Sequence, residues 1–199
     1  MLILGVASAP AEATTFSPLT IEQYTDASAY IVEGTVLEVW TDLEADSGMV
    51  WTRARVAVSD TLKGPDRPVE LVVSSPGGAF GDYEMHVPAA AVFSPQEEVF
   101  LFVADRDGRL TVVGSFQGKY SIRRAPGDSR SYVRTWHTSR NVPFDARFLP
   151  HPAPEDRLYL EDLRSQVRAQ LDRPWDGAPI PGASQQYLEA INTPARRNP

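Results

Sequence analysis

The sequence predicts a mainly β protein: five antiparallel strands closing a small barrel, preceded by one short helix and followed by a helical extension. Three observations carry this expectation. Five extended, β-branched and aromatic segments fall within residues 29–123, and turn or loop signals join them. Only one helix signal precedes them, so no alternation of strand and helix is present to build a parallel sheet. Strands this apolar would leave adhesive edges in an open sheet, and closure removes those edges.

The elements follow in order. Thr20-Ile21-Glu22-Gln23 matches a capping box, which predicts a short helix over about Ile21–Ala27. Ala29–Trp40 reads as a long strand, and Gly34 in its middle marks a bend or a close backbone approach. Val50–Leu62 alternates: Thr52, Ala54, Val56, Val58 and Leu62 share one face, and Trp51, Arg53, Arg55 and Ser59 the other. Lys63-Gly64-Pro65-Asp66 is turn chemistry. The third strand, Pro68–Ser74, is expected to point Val69, Leu71 and Val73 inward. A long connection, 76–96, holds Gly77, Gly78, Gly81 and Pro88, and its glycines call for positive φ or close packing. Val99–Ala104 is apolar throughout, which requires cover on both faces. Asp107-Gly108 predicts a tight hairpin, and the last strand, Leu110–Ser115 with Tyr120–Arg123, is interrupted near Gly118. The barrel domain thus spans 14–124.

Residues 125–153 show no sustained period and read as an irregular linker. Pro154-Glu155-Asp156 opens an amphipathic helix, whose stripe of Leu160, Leu163, Val167 and Leu171 packs on the barrel; the linker and helix together span 125–173. Residues 174–199 form a polar, Pro-rich tail. At the other end, residues 1–13 read as the remnant of a signal peptide: Met1–Val6 is almost wholly apolar, and Ala11-x-Ala13 presents small residues at a cleavage position. The expected location is therefore periplasmic or secreted. The chain of 199 residues has no Cys, which excludes disulfides, thiolate chemistry and Cys-ligated metals. No apolar run approaches the roughly 18 residues of a membrane span.

The order of landmarks resembles the netrin-like domain, the OB-type barrel of tissue inhibitors of metalloproteinases. The residues that carry the resemblance are Ala29-Tyr30-Ile31-Val32-Glu33-Gly34-Thr35-Val36, a second strand ending in Leu62-Lys63-Gly64-Pro65, a third strand leading into a Gly-containing loop, and Glu97-Glu98-Val99-Phe100-Leu101-Phe102 before a Gly turn and a last strand. The similarity covers about residues 20–123 and extends to exported bacterial proteins with the same Lys-Gly-Pro and Gly-Gly landmarks. It implies a barrel in an extracytoplasmic setting. Those inhibitors chelate zinc through an N-terminal Cys, so a chain without Cys inherits no inhibitory residue.

The charge is segregated. Residues 14–105 carry 4 Lys/Arg against 15 Asp/Glu, a balance of −11, whereas residues 106–199 carry 15 against 10, a balance of +5. Two readings stand: the basic half screens the acidic half, or it forms an anion-binding stripe. The stripe defines the candidate ligand-binding residues, in which Lys119, Arg123, Arg124, Arg130 and Arg134 are interleaved with Tyr120, Tyr132 and Trp136. A pI near 5.0 and an exported setting disfavour nucleic acid as the partner. The expected function is an exported, non-enzymatic module that binds a protein or an anionic glycan and needs no cofactor. No catalytic or metal-ligating residue is assigned: His86, His137 and His151 lack zincin spacing, Gly114-Ser115-Phe116-Gln117-Gly118 is not a nucleophile elbow, and the acidic turns at Asp42–Asp46 and Asp105–Asp107 fall short of a calcium loop. Two alternatives remain: a hydrolase with its site in the 76–96 loop near His86, and an assembly protein that uses the stripe at Leu160, Leu163 and Val167 as an interface.

Overall fold

The computed structural model describes residues 19–125, 127–134 and 157–173. The order of elements is α1 (Ile21–Ala27), β1 (Tyr30–Leu43), β2 (Val50–Lys63), β3 (Glu70–Pro76), β4 (Gly78–Phe80), β5 (Tyr83–Met85), β6 (Glu98–Arg106), β7 (Arg109–Val112), a 3-10 turn (Ser115–Gly118), β8 (Lys119–Ser121), β9 (Arg123–Arg124), β10 (Ser131–Arg134), β11 (Arg157–Tyr159) and α2 (Leu160–Leu171). The described residues are mainly β, with two α-helices. The signal-peptide segment, the tail, Trp136 and the Pro154–Asp156 helix opening all lie outside the described residues.

Helix α1 begins as its sequence dictates. Thr20 Oγ1 accepts from the Gln23 amide at 3.3 Å, and Gln23 Oε1 accepts from the Thr20 amide at 2.9 Å. Both orphan donors are thereby satisfied, and Tyr24 is carried into the core.

The main sheet runs β1-β2-β3-β7-β6-β8, and β1 also pairs with β6. Strand β6 pairs with β1 along one side. On its other side, β7 takes the Val103–Arg106 end and β8 takes Val99–Leu101. Strands β7 and β8 are therefore two halves of one strand, broken by the 3-10 turn where the sequence places Gly118. A Cβ on Gly118 would lie 2.4 Å from the Val113 carbonyl oxygen, so only glycine fits the break.

One expectation is corrected here. The sheet is mixed, not antiparallel: β3 meets β7 in parallel through the pair Ser74 and Thr111. The pairings β1–β2, β2–β3, β3–β7, β7–β6 and β6–β1 form a cycle of five, and an odd cycle cannot alternate direction at every step. Three further expectations are corrected. Val69 is 83% exposed: its carbonyl still accepts from the Val58 amide of β2 at 2.9 Å, but its side chain lies outside both apolar clusters. The segment 125–153, expected to be irregular, contains β10, which pairs with β9 and β11. Helix α2 begins at Leu160, after Arg157–Tyr159 has paired as a strand.

Two apolar clusters share β6. Val99, Leu101 and Val103 pack inside the cycle with Val32, Val36, Ala54, Val56, Leu71 and Val73. Phe100, Phe102 and Ala104 point outward into a second cluster with Tyr24, Tyr120, Val133, Leu163 and Val167. The continuous apolar run has its two-sided cover, and α1, α2 and β10 supply the outer half. The 76–96 connection is partly ordered. Strands β4 and β5 form a hairpin, and Ala91 and Phe93 then join the inner cluster. At Gly34, an added Cβ would lie 2.2 Å from the Ala57 carbonyl oxygen, which is the close approach the sequence signals.

Candidate polar cleft between the sheet and the C-terminal elements

The seven candidate ligand-binding residues that lie among the described residues separate in the structure. Tyr120 is 1% exposed and packs among Tyr24 and Phe102, so it faces no ligand. Lys119 is also withdrawn: Nζ donates to Glu97 at 2.6 Å, its ammonium sits over the Phe93 ring, and burial pulls its pKa below the usual lysine value against the pull of Glu97. Strand alternation explains both, because β8 lies against β6 and turns Tyr120 into the outer cluster. Arg134 Nε is buried and has no hydrogen-bond partner among the described residues. Tyr132 lies under the Arg157 guanidinium at 5.0 Å. Arg123 is exposed on β9.

Arg124 and Arg130 do come together. They line a cleft of about 470 Å³ between β1, the start of β6 and the C-terminal elements, with Glu33, Glu98, Tyr159, Glu161 and Arg164. Arg124 donates to both carboxylate oxygens of Glu98, at 2.8 and 3.3 Å. Arg130 stacks over the Tyr159 ring at 3.8 Å, donates to its hydroxyl at 2.6 Å, and also holds Asp128. The hydrogen bond from Arg130 is the main reason the Asp128 carboxyl titrates below the usual range.

The floor of the cleft is an ion pair. Glu33 is 4% exposed on β1, and Arg164 of α2 donates to both its oxygens at 2.6 Å. A buried carboxylate left alone would cost several kcal/mol, so this fork is the condition for its burial. The lining thus holds three guanidiniums, three glutamates and one tyrosine. Sequence reading missed Glu33, Tyr159 and Arg164. The available signals were a lone acid inside the apolar run Tyr30–Val36, and an arginine flanking the helix stripe.

The charge halves meet across several such pairs. Arg109–Glu44, Lys119–Glu97, Arg124–Glu98 and Arg164–Glu33 each join a cation of the second half to a carboxylate of the first. Of the two readings of the segregation, screening is the one these contacts realise.

The 76–96 segment borders a separate pocket, with Glu84 and His86 among its lining residues. The nearby Ser75 hydroxyl has no hydrogen-bond partner, so no serine–histidine hydrogen bond is formed there. Among the described residues, no group of three or more His, Asp or Glu side chains is placed to hold a metal ion, and no helix is long and apolar enough to cross a membrane. The stripe offered as an assembly interface is not at the surface: Leu163 and Val167 are fully buried and Leu160 is 6% exposed.

No protein-family model matches the chain, and a search of curated proteins returns no significant relative.

Proposed function

We propose that the chain is an exported, non-enzymatic binding module on a five-stranded OB-type barrel of the netrin-like kind, and that its polar cleft receives a charged segment of a partner protein. The barrel reading is supported by the cycle of five strands with its one parallel step, the Greek-key closure that OB barrels use. Export rests on the composition of residues 1–13.

The observation that carries the binding reading is the charge balance of the cleft. Arg124, Arg130 and Arg164 are matched in number by Glu33, Glu98 and Glu161. A sulfated or carboxylated glycan would meet as many repulsive groups as attractive ones. A protein segment with charges of both signs would re-pair them one for one. The outer pairs are suited to such exchange: the Arg124 side chain is 62% and that of Glu98 41% exposed, and exposed pairs are worth at most about 1 kcal/mol. Tyr159 adds a rigid amphipathic contact at the rim.

The test is affinity capture from the extracytoplasmic fraction with the wild type and an Arg124→Glu/Arg130→Glu variant, beside chromatography on an immobilised sulfated oligosaccharide. The expected result is a protein retained by the wild type, at least about tenfold depleted with the variant, and released by moderate salt. Equal retention by both forms removes the cleft as the site. Salt-sensitive binding to the oligosaccharide that the variant loses transfers the site to an anionic glycan. Recovery of the unprocessed chain in the cytosol removes export.

A further inference from the structure

The hairpin between β6 and β7 carries a reactive bond. The chain has two Asp-Gly pairs, and one of them, Asp107–Gly108, lies among the described residues. It forms a two-residue loop closed by the strand pair Arg106 and Arg109. Both loop residues have positive φ, 54° and 84°, as in the turns whose twist matches a hairpin. The loop is exposed, and a Cβ on Gly108 would meet nothing within 4 Å. No side chain therefore shields the Gly108 nitrogen from the carboxyl of Asp107. One contact restrains that nitrogen: its N–H donates to Asp105 Oδ1 at 2.7 Å.

From this arrangement we infer that Asp107 is a latent site of isoaspartate formation, held closed by the carboxylate of Asp105. The modification needs only water. The Gly108 nitrogen attacks Cγ of the protonated Asp107 carboxyl. The new N–Cγ bond replaces the Cγ–OH bond, and the hydroxyl leaves with the amide proton as water. Water then adds to the main-chain carbonyl of Asp107 and breaks its bond to the Gly108 nitrogen. The chain now runs through Cβ and Cγ, one methylene longer and unchanged in mass. The hydrogen bond to Asp105 opposes the first step in two ways. It fixes the peptide plane that must turn toward Cγ, and it holds the amide proton against a negative charge that disfavours its loss. An added methylene in so short a loop cannot keep Arg106 opposite Arg109, so the modified hairpin loses its register. The site is separate from the polar cleft and does not depend on the reading given for it.

The experiment ages the full chain in warm neutral buffer and in urea. The chymotryptic peptide Val103–Leu110 is then resolved into aspartyl and isoaspartyl forms by chromatography and electron-transfer mass spectrometry. The folded wild type is expected to isomerise at Asp107 about ten- to a hundredfold more slowly than the chain in urea, the value of a hydrogen bond to a charged group. Asp105→Ala, at an exposed position, should stay folded and isomerise at least about tenfold faster than the folded wild type. Leu163→Ala, on α2, lowers stability without changing the hairpin and should keep the wild-type rate while folded. Equal rates in buffer and urea, no acceleration in Asp105→Ala, or an acceleration in Leu163→Ala as large as that in Asp105→Ala would each overturn the proposal.

Discussion

Tyr120 shows how one side chain changes meaning between sequence and structure. In the sequence it stands between Lys119 and two arginines and looks like a stacking platform. In the fold it is sealed between Tyr24 and Phe102, and burial raises its pKa well above the ordinary value of 10.0. The consequence for stability has a definite sign. Above about pH 10 the unfolded chain releases this proton and the folded chain keeps it, so stability falls as pH rises, by up to about 1.4 kcal/mol per pH unit. Lys63 and Lys119 act the other way. Burial lowers their pKa, so the unfolded chain holds their protons longer and stability rises with pH toward their ordinary values. Comparing Tyr120→Phe with the wild type isolates the tyrosine, since both lysines remain. Urea midpoints across the alkaline range should show the variant losing stability less steeply, by about one proton's worth; parallel curves would contradict the sealed environment. The glycine pair at 77–78 was legible without the structure. Both have positive φ, and a Cβ on Gly78 would lie 2.7 Å from Thr52 Oγ1.

At the level of elements, local patterns were legible and partnerships were not. The capping box fixed α1, alternation fixed β2, and the unbroken apolar run announced that β6 is covered twice. The stripe of α2 was equally plain, and its spacing alone shows that one face is buried. Spacing does not say against what. The answer is the outer cluster, with the Arg164–Glu33 fork beside it and Gln170 holding Asp26 at 3.0 Å. Leu163 is fully buried there, so Leu163→Ala should cost about 2–5 kcal/mol through lost transfer and an unfilled cavity. Denaturant melts give the number; a loss below about 1 kcal/mol would place the helix off the core. Strand β11 escaped sequence reading because three residues are too few to show a period. Val69 misled because alternation assigns a face and does not say whether anything covers it: the Val69 carbonyl is bonded to β2, yet its side chain stands in solvent.

Across the whole molecule, the segregated charge and the cycle of pairings have a common basis: each half completes what the other lacks. Direction around the cycle could not be read from any window, because Ser74 and Thr111 meet only after every intervening strand is placed. Strand β6 lies at the centre of this arrangement, paired on both sides and packed on both faces. Native-state hydrogen exchange should therefore find the amides of Val99–Val103 among the slowest, close to the global unfolding limit, and those of the β4–β5 hairpin opening far sooner. Comparable rates in the two segments would deny β6 that position. The long reach of β1 to β6 has a further consequence during synthesis. Until Glu98–Val103 leaves the ribosome, β1 has a bare edge and Val32 and Val36 have no lid. A nascent or truncated chain ending before Glu98 is therefore an adhesive ribbon in need of a chaperone, and a nonsense mutation there yields aggregate rather than a smaller working protein.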